Sequence, residues 1–137
     1  MIAFTIYGKP QPKQRPRVLR SGITYTPKET VLYEAQVVQA AKESETLPQS
    51  PIQDKPLKMI LWCYYPIPQS WTKEKKTLAA RGKVYHTSRP DIDNLAKIIM
   101  DALNGIAYKD DALIAELVIH KLYSDEPRAE VVIDYIN

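Results

Sequence analysis

Cysteine is almost missing from this 137-residue chain, in which Cys63 stands alone. A single thiol excludes an internal disulfide and a cysteine-built zinc cage, and its apolar surroundings read as those of a small buried hydrophobe. Long hydrophobic runs are missing too. No segment approaches the roughly 20 apolar residues that span a bilayer. The opening Met-Ile-Ala-Phe-Thr-Ile-Tyr has neither the basic leader nor the long apolar core of a signal peptide, so cytoplasmic residence is the expectation. There is no internal repeat, low-complexity tract or interior linker, and the length suits one domain over residues 1–137. One segment lacks acids altogether: Lys9, Lys13, Arg15, Arg17 and Arg20 follow one another without a carboxylate among them. Outside that segment the remaining fourteen basic residues are outnumbered by sixteen acidic ones. The positive excess is therefore local, as expected where one surface meets a polyanion.

Hydrophobic patterning supplies the elements. Ile2, Phe4 and Ile6 alternate with Ala3, Thr5 and Tyr7 to give a short strand with one apolar face. The Lys9–Arg17 segment that follows holds three prolines, which forbid a helix and keep its cations on extended backbone suited to contacting phosphates. A helix is expected from Pro27, at its first turn, to about Ala41–Glu45, with Val31, Ala35, Val38 and Ala41 or Lys42 setting its amphipathic period. Leu57 to Tyr65 reads as a well-buried strand. Ser70 to Gly82 reads as a second helix, capped by Ser70 or Thr72. Leu113 to Tyr123 and Ala129 to Ile136 read as two strands joined as a hairpin by Ser-Asp-Glu-Pro. The fold class is α/β in the α+β sense: a small mixed sheet of about four strands with about three helices, in the order β-α-β-α-α-β-β.

The stretch with most chemistry in it runs from Ser88 to Asp111. Pro90 blocks backward extension of a helix that Asp91 can cap. Leu95, Ile98, Ile99, Ala102 and Leu103 follow the spacing of a buried helical face, and Gly105 supplies the stop. Asp93, Lys97, Asp101 and Asn104 fall on the other face, and Asp110 and Asp111 arrive in the loop beyond. Taken singly these acids are an N-cap, an exposed charge ladder and a solvated turn. Together they are a carboxylate cluster that the helix dipole does not account for, since the dipole favours acid only at the N-terminus. Hard oxygen ligands in such numbers suit magnesium or manganese.

These residues resemble the RusA family of Holliday junction resolvases, small metal-dependent endodeoxyribonucleases frequent in bacteriophages and prophages. Gly8-Lys-Pro-Gln-Pro-Lys-Gln-Arg-Pro-Arg is similar to the family's basic opening. Arg89-Pro-Asp-Ile-Asp-Asn-Leu-Ala-Lys with Asp101-Ala-Leu-Asn-Gly is similar to its signature helix, and Asp110-Asp111 to its acidic pair. The resemblance implies that Asp91, Asp93 and Asp111 are essential carboxylates binding Mg2+, with Mn2+ a substitute and Asp110 able to stand in for Asp111. It implies that Lys97 is catalytic, and that the working form is a homodimer acting on branched DNA with no membrane involved. Lys9, Lys13, Arg15, Arg17, Arg20, His86 and Arg89 are the expected DNA contacts. Two rival readings are a metal-dependent nuclease for flaps or other branched DNA, and a DNA-binding module without catalysis.

Overall fold

The computed structural model describes residues 1–136. Six strands and three α-helices follow in the order β1 (Ile2–Tyr7), β2 (Arg17–Val18), β3 (Thr24–Tyr25), α1 (Lys28–Glu43), β4 (Leu57–Pro66), α2 (Lys73–Ala80), α3 (Ile92–Ala102), β5 (Ile114–Ser124) and β6 (Arg128–Tyr135). The main sheet is mixed, in the order β1-β6-β4-β5. The expected α+β order holds once the short ribbon β2–β3, which forms a sheet of its own, is set aside. In β4 the side chains of Leu57, Met59, Leu61, Cys63 and Tyr65 are buried while those between them are half-exposed. This period of two shows that helices cover one face of the sheet and leave the other open. Burial pushes the Cys63 thiol up to about 12, as suits an inert core residue.

The expected hairpin of the last two strands does not form. β4 lies between them, parallel to β5 and antiparallel to β6. Residues 125–127 carry the chain over the end of β4, and Arg128 braces that crossing by donating from Nη1 to Ser124 Oγ (3.1 Å) and the Glu126 carbonyl (2.9 Å). A polar turn of this length spans two strand spacings, about 9.5 Å, as readily as it closes a hairpin.

The first helix also turns differently from expectation. Its buried stripe is Thr30, Tyr33, Val37 and Ala41, and Val31 and Ala35 face outward. Both stripes have helical period, so periodicity does not choose between them; the arm does. The backbone N–H of Gln14 donates to the hydroxyl of fully buried Thr30 at 3.2 Å, fixing which side turns inward. Pro27 stands at the N-cap rather than in the first turn, and no side chain caps this helix. Thr72 is the cap of α2, its hydroxyl accepting from the Lys75 N–H at 3.2 Å.

Candidate active site

The third helix does what its sequence requires. Leu95, Ile98, Ile99 and Leu103 are buried against the sheet, with Ala102 at the margin. Asp93 and Lys97 are exposed, and Asp101 is half-buried. Asp91 occupies the N-cap position with extended backbone, yet its carboxylate makes no capping hydrogen bond and stays free for another partner.

The loop after this helix brings the second acidic pair back to it. The Tyr108 ring is fully buried and its hydroxyl donates to the Met100 carbonyl at 2.8 Å. Gly105, in the left-handed region at φ 75°, donates to the Tyr108 carbonyl at 2.8 Å. Ile52 straps the loop from the far side, donating to the Ala107 carbonyl and accepting from Lys109 N–H. The Asp111 N–H donates to Asn104 Oδ1 at 2.8 Å, and Asn104 Nδ2 points back to Asp111 Oδ2 at 3.5 Å. Asp111 is thus set opposite the C-terminal half of α3.

Asp93, Lys97, Asp101 and Asp111 line one groove of about 440 Å³ between α3 and β5, floored by Ala96, Met100, Leu117 and Ile119. Asp93 and Asp101 are eight helical residues apart, about 12 Å of rise, so the acids are strung along the groove rather than gathered at a point. Among the described residues no three carboxylate, histidine or cysteine side chains stand close enough to ligate one ion. Asp91 opens instead onto an adjoining pocket of about 370 Å³ that it shares with Lys9, Lys13, Arg89 and Asn94. Asp110 turns its carboxylate to the Ala112 N–H at 3.1 Å.

The charge in the groove is only partly compensated: Asp101 is paired with Lys13 of the arm, and Asp93 and Asp111 have no such partner among the described residues. Burial pushes the Asp111 carboxyl above its usual range, the neighbouring Asp110 and Asp101 carboxylates add to this, and the Asn104 hydrogen bond opposes it. Asp91, Asp93, Asp110 and Asp111 enter no ion pair among the described residues, and neither does Lys97. Unpaired carboxylates with the last of them partly desolvated are a donor set that fits a hard divalent cation.

The expected DNA contacts separate into two groups. Lys9, Arg15, Arg17, Arg20 and Arg89 are exposed. Lys13 is not displayed: its ammonium bridges Glu34 of α1 (3.2 Å) and Asp101 of α3 (3.3 Å), while its N–H donates to the Asn94 carbonyl. His86 stacks on Tyr65 with ring centroids 4.1 Å apart and meets Tyr123 at 5.2 Å. Burial, then Lys121 and Lys9, hold its imidazole below the ordinary range. The sequence presents Asp101 and Asn104 only as part of the polar helix face; the structure puts Asp101 in the groove and Asn104 against Asp111, and the signal for Asp101 is its four-residue spacing from Lys97.

A small α+β domain with an acidic groove beside a basic arm is the class that fold and site define. The family model described as Endodeoxyribonuclease RusA matches residues 7–134. The chain belongs to the RusA family of Holliday junction resolving endodeoxyribonucleases, whose substrate is branched DNA. It is also 38% identical to the Bacillus subtilis (strain 168) protein described as "Uncharacterized protein YqaN", over 96% of this chain and 94% of that one. No helix among the described residues is long and apolar enough to cross a membrane.

Proposed function

We propose that this chain is a magnesium-dependent homodimer that resolves four-way DNA junctions by paired symmetric nicks. The observation that carries the reading is the groove itself, where unpaired carboxylates and an unpaired ammonium lie together beside an acid-free basic arm. A module that only bound DNA would gain from having no such acids next to phosphates. Asp93 and Asp111, the unpaired carboxylates of the groove, would each offer a single ligand to an ion that otherwise keeps its own waters, with Asp91 in the adjoining pocket and Asp110 next to Asp111 in the chain. Magnesium keeps several waters and takes only one or two carboxylates plus substrate phosphate, so it does not call for a cage of three acids. When bound it activates water and offsets charge on the phosphate under attack. Lys97 presents its ammonium to the non-bridging oxygens of the scissile phosphate. Arg89 and Lys9, at the mouth of the adjoining pocket, hold the neighbouring phosphate and fix the register of the strand. A two-fold dimer presents two such grooves to strands of like polarity.

The test is cleavage of a synthetic four-way junction, a flap and a linear duplex, with and without Mg2+ or Mn2+. The expected result is metal-dependent nicking fastest on the junction. Asp93→Asn and Asp111→Asn should bind the junction but not cut it. Lys97→Ala should melt like wild type and cut about 100- to 1000-fold more slowly. A flap cut faster than the junction would support the rival nuclease reading, and metal-independent binding without nicking would reduce the chain to a DNA-binding module.

A further inference from the structure

The ribbon β2–β3 has no part in the groove, and its side chains are unusual for a surface loop. Leu19 donates its N–H to the Ile23 carbonyl at 2.8 Å, and Gly22, at φ 85°, donates to the Leu19 carbonyl at 2.9 Å. This closes a three-residue loop of the kind that ends in a left-handed glycine. Arg17 lies opposite Tyr25 and Val18 opposite Thr24. Alternation then puts Arg17, Leu19, Ile23 and Tyr25 on one face of the ribbon. Leu19 is 49% exposed, Ile23 62% and Tyr25 44%. Single exposed apolar residues are ordinary, but a contiguous apolar face marks a surface that is covered by something else. An isolated two-stranded hairpin is marginal in water, so this ribbon gains order from whatever covers it.

Charge identifies the occupant. From Lys9 to Lys28 the chain carries Lys9, Lys13, Arg15, Arg17, Arg20 and Lys28 and no acid, and the three arginines are exposed around the apolar face. A polyanion with apolar faces of its own fits this surface, and DNA whose bases are unpaired or readily unstacked is one. Resting on the proposed function, we infer that the ribbon is a branch-point probe. Leu19 and Ile23 wedge between base pairs at the crossover and Tyr25 stacks on an exposed base. Arg15, Arg17 and Arg20 hold the flanking phosphates. The groove then receives strands from a junction already opened by the ribbon.

The experiment uses the full chain and a four-way junction carrying 2-aminopurine at the crossover, with Asp111→Asn present throughout to prevent cutting. Leu19→Thr/Ile23→Thr/Tyr25→Thr keeps every charge and strand propensity. It should abolish the fluorescence rise and lower junction affinity about tenfold or more, leaving linear-duplex affinity and melting temperature unchanged. Arg15→Gln/Arg17→Gln/Arg20→Gln should weaken binding to both DNAs and flatten the slope of log affinity against log salt by up to about 0.9 for each phosphate released from the arm. A parent protein that binds the junction no better than the duplex overturns the proposed function and this inference with it. A parent that prefers the junction, beside a threonine variant that keeps both the preference and the fluorescence rise, overturns the inference alone. So does a threonine variant whose sedimentation shows a broken dimer, or whose loss is of affinity for phosphatidylserine vesicles rather than for the junction; the ribbon would then seat on a second copy or on a lipid surface.

Discussion

At the scale of single residues, position in the fold separates side chains that the sequence presents as equals. His86 and Arg89 lie three residues apart before the acidic helix, yet Arg89 is exposed at a pocket and His86 is wedged among Tyr65, Tyr123 and the cations Lys121 and Lys9. Its Nδ1 is buried without a partner among the described residues. The consequence is a pH dependence of stability. Because the folded imidazole titrates below the unfolded value of 6.5, the unfolded chain binds the proton first as pH falls. The stability His86 contributes is present above pH 6.5 and is lost as pH falls through its folded pKa. His86→Phe, which keeps a ring on Tyr65, should show a shallower loss of melting temperature between about pH 7 and pH 5 than wild type. Equal slopes would mean that other groups govern acid sensitivity there.

At the scale of elements, the basic arm divides into an anchored base and a displayed tip. Its base is held between two helices by Lys13, whose side chain is only 21% exposed and bridges Glu34 and Asp101. Removing the ammonium leaves two partly desolvated carboxylates facing each other, a loss of about 1.5–3 kcal/mol on the scale of hydrogen bonds to charged groups. Lys13→Met should therefore lower stability in denaturant titration by that order, whereas Arg15→Met, further out, should stay within about 0.5 kcal/mol of wild type. Equal effects at the two positions would show that the base is as loosely held as the tip. The same ion pair occupies Asp101, one turn from Lys97, with a cation from the arm, while Asp93, one turn the other way, makes no ion pair among the described residues.

At the scale of the molecule, a two-layer fold with helices on one side leaves the opposite sheet face without cover, and on the outer strand β5 the segment before α3 bonds to Lys121, through the His86 N–H, three residues from Val118. Ile60, Trp62, Val118 and Val132 lie together on that face by register, and Val118 also belongs to that outer strand. Unprotected edges and apolar sheet faces recruit further chains unless they are blunted by charge. A second copy is the occupant that the proposed function requires. Val118→Lys should raise the dimer dissociation constant by about tenfold or more, a change of about 1.4 kcal/mol, while the monomer's fold is retained. Sedimentation velocity across a concentration series measures this. An unchanged association would place the dimer contact elsewhere.

The sequence by itself determined the local matters: where the strands of the main sheet and the three helices run, though not the ribbon β2–β3, that one segment is basic and acid-free, and which acids, with Lys97, flank the third helix. These follow from short-range physics, since side-chain period, proline, glycine and capping residues act within a few positions along the chain. Tertiary structure alone decided the pairing of strands, because Ser-Asp-Glu-Pro serves a hairpin and a crossing over β4 equally well. It decided the inward side of the first helix, where two stripes share one period and the contact of Gln14 with Thr30 selects between them. It also decided which charges are spoken for. Lys97 has Asp93 and Asp101 one turn away in sequence and Lys13 has no acid nearby, yet the packing of the arm against α1 and α3 pairs Lys13 with Glu34 and Asp101 and leaves Lys97 to face the groove.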